Sequence, residues 1–168
     1  MKLEEAKKQF IQTWGRLGTE WGINRTMAQV HALLLISPKP LSAEEIMEEL
    51  NISRGNANMN IRDLINWTLV RKELVAGERK EYFVAEKDIW EVARRIARER
   101  KRREIEPVLH DLEDLKKIEG STKTPEAKQF LETINNLHAF VGKMDKSMDM
   151  MLKADEHWIF GTMLKLLK

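Results

Sequence analysis

The chain has 168 residues, of which 42% are hydrophobic and 33% charged, and its formal net charge is +2. It lacks a run of about 18 apolar residues, which argues against a membrane span, and the absence of cysteine excludes disulfides and thiolate metal sites. The charged N-terminus does not have the apolar stretch of a signal peptide, so we expect a cytoplasmic protein. Residues 1–103 carry 20 Lys/Arg and 15 Asp/Glu, whereas residues 104–168 carry 9 and 12. This uneven charge favours a polyanionic partner for the N-terminal part.

Two helices are predicted at the start of the chain. Apolar residues recur at three- and four-residue steps over residues 2–21, which is typical of an amphipathic helix, and Gly22 is suited to ending it. Asn24 is a good N-cap for a second helix that runs to about Ile36. The two prolines of "SPKPLS" prevent that helix from continuing.

The next segment has the pattern of a helix-turn-helix. Ser42 followed by Glu45 fits a capping box, in which each side chain satisfies a backbone amide of the other residue. A turn at Asn51-Ile52 follows, and Ser53 is a second N-cap for the helix in "NISRGNANMNIRDLINWTLV". Two short helices joined by a tight turn define the motif.

Two strand-like segments come next. Leu69–Val75 and Lys80–Val84 are rich in β-branched and aromatic residues, and the polar turn Ala76–Arg79 separates them. A helix-turn-helix followed by a β-hairpin is a winged helix, with the hairpin as its wing.

The C-terminal part is predicted to be helical. Asp88 caps a long helix from about Ile89 towards Lys117, which Pro107 must kink or interrupt. Thr124-Pro125 starts another helix, whose expected inward residues are Phe130, Ile134, Leu137 and Val141. A last helix is predicted over residues 155–167. The predicted fold class is mainly α: a winged helix-turn-helix domain over residues 22–87, and a helical dimerisation region formed by residues 1–21 and 88–168.

The helix after Ser53 is unusual because it carries glycine and several asparagines, which are weak helix formers. Four asparagines fall in the first ten residues of the quoted stretch, Asn51 in the turn and Asn56, Asn58 and Asn60 in the helix, and we expect the helix to present its amides outward. At 100° per residue, Ala57, Ile61 and Leu64 face inward, and the opposite face presents Gly55, Met59, Arg62 and Asn66. This face has the chemistry of a recognition helix, or it is the solvated face of an ordinary helix; the order of caps, turn and hairpin favours the first interpretation.

Three residues of this helix are suited to contact with DNA. Asparagine pairs bidentately with adenine and arginine with guanine, which suggests Asn56 and Arg62 as base contacts. Gly55 leaves room for a phosphate near the helix N-terminus, which itself attracts anions.

The stretch "RRIARERKRR", residues 94–103, has two open interpretations. Its cations could contact flanking phosphates and make DNA binding salt-dependent. They could equally form a solvated helix face, paired with Glu91, Glu99 and Glu104 at helical spacings.

Two sequences carry a resemblance to a known family. "WGRLGTEWGINRT" and "SRGNANMNIRDLINWTLVRK" are similar to the GbsR-like branch of the MarR regulators, and the likeness extends over about two thirds of the chain. It implies a dimeric winged-helix transcriptional regulator whose terminal helices form the dimer interface. The positions that it assigns to the recognition helix are Ser53, Arg54, Gly55, Asn56, Asn58, Met59 and Arg62. The positions that it assigns to the wing are Arg79 and Lys80.

The expected partners are double-stranded DNA and a second copy of the chain. The first helix and the last three are too apolar for a small monomer, and a two-fold dimer predicts an inverted-repeat operator. The resemblance implies that some relatives sense choline or glycine betaine, and tryptophans could bind such an effector by cation–π attraction; packing in the core or the dimer interface is the favoured role for them. The methionines around residue 148 have the same two interpretations, an adaptable effector pocket or a packed interface.

An enzyme is not expected. The histidines lack ligand spacing, and we find neither a nucleophile–base signature nor a phosphate-binding loop. We expect no cofactor and no metal. The competing hypothesis is a winged-helix scaffold or protein-interaction subunit that does not read DNA.

Overall fold

The computed structural model describes residues 1–119 and 123–153, and this part of the chain divides after Ile96 into two compact units. Within these ranges, no helix is both long enough and apolar enough to cross a membrane. The predicted helix over residues 155–167 lies outside the described residues, as do residues 120–122.

The first two helices pack closely against each other. Helix α1 spans Leu3–Glu20 and α2 spans Arg25–Ile36. The side chain of Asn24 accepts hydrogen bonds from two backbone amides of the first turn of α2, at 2.9 and 3.1 Å. A Cβ placed on Gly18 would lie 2.6 Å from the Cβ of Ala28, so glycine is required for this approach. Both predicted helices and the predicted cap are confirmed.

The helix-turn-helix is also confirmed. Helix α3 spans Ala43–Leu50 and α4 spans Arg54–Asn66. The capping box of α3 forms as expected, because Glu45 accepts the Ser42 amide at 2.7 Å while the Ser42 hydroxyl accepts the Glu45 amide at 3.3 Å. The hydroxyl of Ser53 caps α4 by accepting the Asn56 amide at 3.3 Å.

A three-stranded antiparallel sheet completes the N-terminal unit. Its strands are β1 at Leu41–Ser42, β2 at Val70–Glu73 and β3 at Tyr82–Ala85, in the order β1-β3-β2. Leu41 pairs with Phe83 and Val70 with Ala85. The sequence did not predict β1, because two residues are too few to show alternation. The wing strands are shorter than predicted, since residues 74 and 75 lie in the hairpin loop.

The core of this unit lies between α2, α3, α4 and the sheet. All of these elements contribute buried apolar side chains, among them Val30, Leu34, Leu41, Ile46, Ala57, Ile61, Leu64 and Phe83. Their burial supplies the main stabilising term, because each large apolar side chain removed from water contributes about 1.5–3 kcal/mol.

The long helix after the wing is interrupted, as predicted. Helix α5 spans Ile89–Arg100, a π-helical segment covers Lys101–Ile105, and α6 spans Glu106–Leu115. Pro107 occupies the first turn of α6. Proline has no backbone donor and clashes with the preceding turn, and the wider π-helical turn upstream accommodates it without ending the helical path.

Helix α7 spans Pro125–Lys153 and starts where predicted, with the Thr124 hydroxyl accepting the Ala127 amide at 3.1 Å. Ile134 is buried, but Phe130 and Leu137 are 39% and 46% exposed. The prediction that these two side chains face inward was wrong for the single chain. Packing against α6 covers only one stripe of α7, and these residues lie outside that stripe.

Candidate nucleic-acid interface

Helix α4 presents a polar face to solvent. Its buried side contains Ala57, Ile61 and Leu64, which hold it against the core. The opposite side contains the exposed residues Gly55, Asn58, Met59, Arg62 and Asn66, as the sequence predicted. Met59 is 51% exposed, so the face also offers an apolar contact of the kind that thymine methyl groups accept.

Asn60 is not on that face, contrary to the prediction, whereas Asn51 lies in the turn before α4, as predicted. Asn51 ends α3 with a φ of 50°, a left-handed conformation that asparagine tolerates. Asn60 is completely buried. On a helical projection, Asn60 lies between Leu64, which is buried, and Asn56. The helical period therefore indicated that Asn60 is close to the buried side, whereas its polar side chain suggested exposure. Asn58 is exposed and Asn56 is partly exposed at the border of the face.

The buried amide of Asn60 has a specific partner. Its Nδ2 donates to the backbone carbonyl of Asn56 at 2.8 Å and to the Oδ1 of Asn56 at 2.6 Å. The Oδ1 of Asn60 has no hydrogen-bond partner in the described part of the chain. A buried unsatisfied acceptor costs about 1–3 kcal/mol, so an apolar residue would suit packing at this position better.

Gly55 has no packing reason to be glycine. A Cβ added there would meet no atom within 4 Å, and the residue lies in a helix, where alanine is favoured. The free space is on the exposed face of the first turn. It allows the backbone of another molecule, such as a phosphate chain, to approach the amides of the helix N-terminus.

The wing is a short hairpin with a basic tip. Gly77 has a φ of 85°, which its turn requires, and the Glu78 amide donates to the Val75 carbonyl at 3.1 Å. Arg79 and Lys80 are exposed after this turn. Within residues 1–119 and 123–153, Arg79 forms neither a hydrogen bond nor an ion pair, so its guanidinium is available to an anion.

Glu44 connects the wing with α4, and sequence reasoning did not find it. One carboxylate oxygen lies 3.7 Å from Nη2 of Arg54 and the other lies 3.9 Å from Nζ of Lys80. These are exposed ion pairs, which contribute little to stability. Their consequence is electrostatic, since Glu44 places a negative charge between two cations that would otherwise face a phosphate.

Most cations of the stretch from Arg94 to Arg103 are paired with carboxylates. Glu91 accepts hydrogen bonds from Arg95 and Arg94. The bond from Arg95 is the largest cause that lowers the pKa of Glu91. Glu99 accepts from Arg102 and Arg103, both at 2.6 Å in their shortest contacts. The pairing interpretation of this segment is therefore favoured, although Arg98 is exposed.

Lys101 belongs to the same pattern in the C-terminal unit. Its Nζ lies 2.9 Å from Asp145, 3.1 Å from Glu106 and 3.2 Å from Asp149. The hydrogen bond to Asp145 is the largest cause that raises the pKa of Lys101. The ammonium group is thus already paired with carboxylates of α6 and α7.

Two further cations hold the winged helix together. Lys87 donates to the carbonyls of Leu34, Leu35 and Ser37 at 2.7–2.8 Å, which satisfies the C-terminal end of α2. Burial lowers the pKa of Lys87. Arg95 donates to the carbonyl of Thr68, just after α4, and pairs with both Glu86 and Glu91. These contacts fix α4 relative to α5.

Two ring contacts connect described aromatic side chains of α1 and α2. Phe10 lies 5.6 Å from Trp14, and Trp14 lies 6.2 Å from His31, between ring centroids. His31 is buried, and desolvation, with a smaller effect of the Lys87 charge, lowers its pKa to about 4. Trp67 is buried, while Trp21 and Trp90 are more than half exposed. Packing explains Trp14 and Trp67, as the sequence favoured.

The winged helix is similar to a family of known proteins. Residues 21–81 match the MarR family. This segment is therefore similar to MarR-family winged-helix proteins. The match includes the helix-turn-helix and most of the wing, so the predicted fold is confirmed; the GbsR-like branch remains a prediction.

Two known proteins are similar to longer parts of the chain. YvaV of Bacillus subtilis (strain 168), a protein named as an HTH-type transcriptional regulator, is 21% identical over 89 residues. That alignment covers 53% of this chain and half the length of YvaV. A crystal structure described as that of a transcriptional regulator superposes with a TM-score of 0.66 at 20% identity, covering 88% of this chain and 95% of the other. The second likeness shows the fold over most of the chain.

Proposed function

We propose that this protein is a cytoplasmic, DNA-binding transcriptional regulator rather than an enzyme. The observation that carries the proposal is the exposed face of α4 beside a wing whose Arg79 is unpaired among the described residues. Both lie within residues 21–81, the segment that matches the MarR family. Helix α4 would enter the major groove while Arg79 and Lys80 reach the adjacent backbone and minor groove.

The proposed site comprises two groups of residues. Arg62 and Asn56 contact base edges or nearby phosphates, and Met59 and Asn58 line the same groove. Ser53, Arg54 and Gly55 place the helix N-terminus against phosphate. The wing group is Arg79 and Lys80. Glu44 moderates the charge of Arg54 and Lys80, which lowers affinity for DNA of any sequence.

We propose that the regulator acts as a homodimer on an inverted-repeat operator. Residues 1–21 and 88–168 would form the dimerisation region, while residues 22–87 bind DNA. Support comes from apolar side chains that are more than a third exposed on α6 and α7: Val108, Leu115, Phe130, Leu137, Phe140, Met144, Met150 and Met151. A symmetric partner would bury such residues and bring two α4 helices about one DNA turn apart.

The proposed sign of regulation is repression that a small ligand relieves. A quaternary ammonium compound is the proposed effector class, because the MarR relatives that the sequence resembles include sensors of such compounds and because exposed aromatic faces bind them. The ligand must bind one dimer geometry more tightly than another, since only differential affinity shifts a conformational equilibrium.

Selection of bound fragments from random DNA at moderate salt tests the function. The expected result is one enriched inverted repeat, bound with an affinity that falls steeply as salt rises. Repeating the binding with choline tests the effector, and light scattering tests the dimer. A scaffold protein would enrich no sequence and show no steep salt dependence, which would overturn the proposed function. Unchanged affinity in both Arg62→Ala and Arg79→Ala would overturn the site.

A further inference from the structure

The carboxamide of Asn56 is held by a buried neighbour, and this contact decides which of its atoms can face DNA. Asn60 lies one helical turn further along α4 and is completely buried. It is bonded to Asn56 twice, through the backbone carbonyl and through the side chain. Any role of Asn56 in reading bases therefore depends on Asn60.

The hydrogen bonds define which end of each amide is oxygen. A backbone carbonyl only accepts, so the Asn60 atom 2.8 Å from the Asn56 carbonyl must be the donor Nδ2. The same Nδ2 lies 2.6 Å from the side chain of Asn56, so the atom that it meets there must be the acceptor Oδ1. The orientation of both amides follows from the network and not from an arbitrary choice.

This geometry turns the oxygen of Asn56 inward. Oδ1 points towards a residue with no exposed surface, whereas Asn56 itself is partly exposed. In the part of the chain that the structure describes, Nδ2 of Asn56 has no hydrogen-bond partner and is not buried. Only the amino group of Asn56 is left to face a groove.

Building on the proposed function, we infer that Asn60 is a positioning residue that makes Asn56 a hydrogen-bond donor only. Bidentate pairing with adenine needs both the oxygen and the nitrogen of the amide at the base edge. A donor alone favours the two acceptors of guanine, O6 and N7, because adenine places an amino group where O6 would be. The adenine contact expected from amino-acid type is thus replaced by a preference for guanine over adenine.

The test compares the base preferences of three proteins in selections from random DNA: the wild type, Asn56→Ala and Asn60→Leu. The position read by Asn56 is the one whose preference disappears in Asn56→Ala. Leucine fills the space of Asn60 without a donor and frees the Asn56 amide to rotate. At that position, Asn60→Leu is expected to raise adenine relative to guanine by about fivefold or more.

A purely structural role of Asn60 predicts a different result. The affinity of Asn60→Leu would then change for all sequences while its ratio of guanine to adenine stayed at the wild-type value, and the inference would be overturned. It would also be overturned if Asn56→Ala removed no base preference at any position. If the wild type itself enriched no sequence, the proposed function would fail first.

A second pair of variants does not depend on the folding of Asn60→Leu. Asn56→Asp keeps an oxygen for Asn60 but replaces the outward amino group by an acceptor. The expected preference moves to cytosine, whose N4 amino group donates. Asn58→Asp adds the same charge on the same helix and should lower affinity comparably through phosphate repulsion, while guanine stays preferred at the Asn56 position. Retained guanine preference in Asn56→Asp, or the same shift in Asn58→Asp, would contradict the inference.

Discussion

Helices α4 and α5 both carry polar and basic residues, but they hold their cations differently. In α5 and the π-helical segment after it, Arg94, Arg95, Arg100, Lys101, Arg102 and Arg103 all pair with carboxylates. On α4, Arg54 forms only an exposed ion pair with Glu44, and Arg62 is exposed and forms neither a hydrogen bond nor an ion pair in the described ranges. Arg98 is the cation of α5 that is exposed in the same way. The helix with fewer cations is therefore the better candidate for contact with DNA.

This difference shows that the density of basic residues does not locate a nucleic-acid surface. A paired cation must break an existing contact before it neutralises a phosphate, and its carboxylate then repels the DNA. An unpaired cation on an exposed face has neither cost. Whether a cation is already paired depends on its neighbours in space. This distinguishes the two helices more clearly than their content of basic residues does.

The largest expected effect is on DNA affinity in Arg62→Ala. Loss of a base or phosphate contact by arginine should cost about 1–3 kcal/mol, which is about 5- to 150-fold in Kd. Fluorescence anisotropy with the selected operator measures it. Arg102→Ala is the matched control, because Glu99 already holds Arg102. Equal losses in the two variants would remove the distinction between the helices.

A stability effect is expected in Arg95→Ala instead. The substitution removes the Arg95 contacts of Glu86, Glu91 and the carbonyl of Thr68, while Arg94 still pairs with Glu91, and bonds to charged groups are worth about 1.5–3 kcal/mol. Urea denaturation should show a loss of about 2 kcal/mol, reduced where solvent screens the partly exposed pairs. Arg62→Ala should leave the free energy of unfolding nearly unchanged. A stable Arg95→Ala protein would mean that this cation is not a structural tether.

Gly55→Ala should move stability and binding in opposite directions. Alanine is a better helix former by up to about 1 kcal/mol, and its methyl group meets no atom of the protein. The melting temperature should rise while operator affinity falls, because the methyl group stands where a phosphate would approach. Asn66→Ala, at the other end of the exposed face, should reduce affinity less. Unchanged affinity in Gly55→Ala would place the DNA away from the α4 N-terminus.

The smallest effect is expected in Glu44→Gln. Removing this charge frees Arg54 and Lys80 from their exposed ion pairs, which are worth about 0.2–1 kcal/mol each. Affinity should rise about threefold for DNA of any sequence, with base preferences unchanged. Glu49→Gln, on the same helix, should raise it less. A fall in affinity would mean that Glu44 organises the surface and does not oppose DNA.

Local signals predicted the frame of the winged helix well. Ser42, Ser53 and Thr124 form the caps that their positions indicated, and Pro107 interrupts its helix. These features depend on a few neighbouring residues, so the sequence contains the relevant information directly. The exposed residues of α4 were likewise predicted from the helical period.

Features that depend on contacts across the chain could not be predicted in this way. Lys87 caps a helix that ends some 50 residues earlier, and Glu44 meets the wing only after folding. Asn60 was misplaced because amino-acid type was given more weight than helical position. Phe130 and Leu137 looked internal because apolar spacing does not reveal whether the partner surface belongs to the same chain.

The salt dependence of operator binding in Arg79→Ala and Arg102→Ala tests the central claim most directly. If α4 and the wing form the DNA-facing surface, Arg79→Ala should reduce the slope of log K against log salt by about 1. Arg102→Ala should keep the wild-type slope. A reduced slope in Arg102→Ala with an unchanged slope in Arg79→Ala would contradict the claim and assign the interface to the basic stretch that follows the wing.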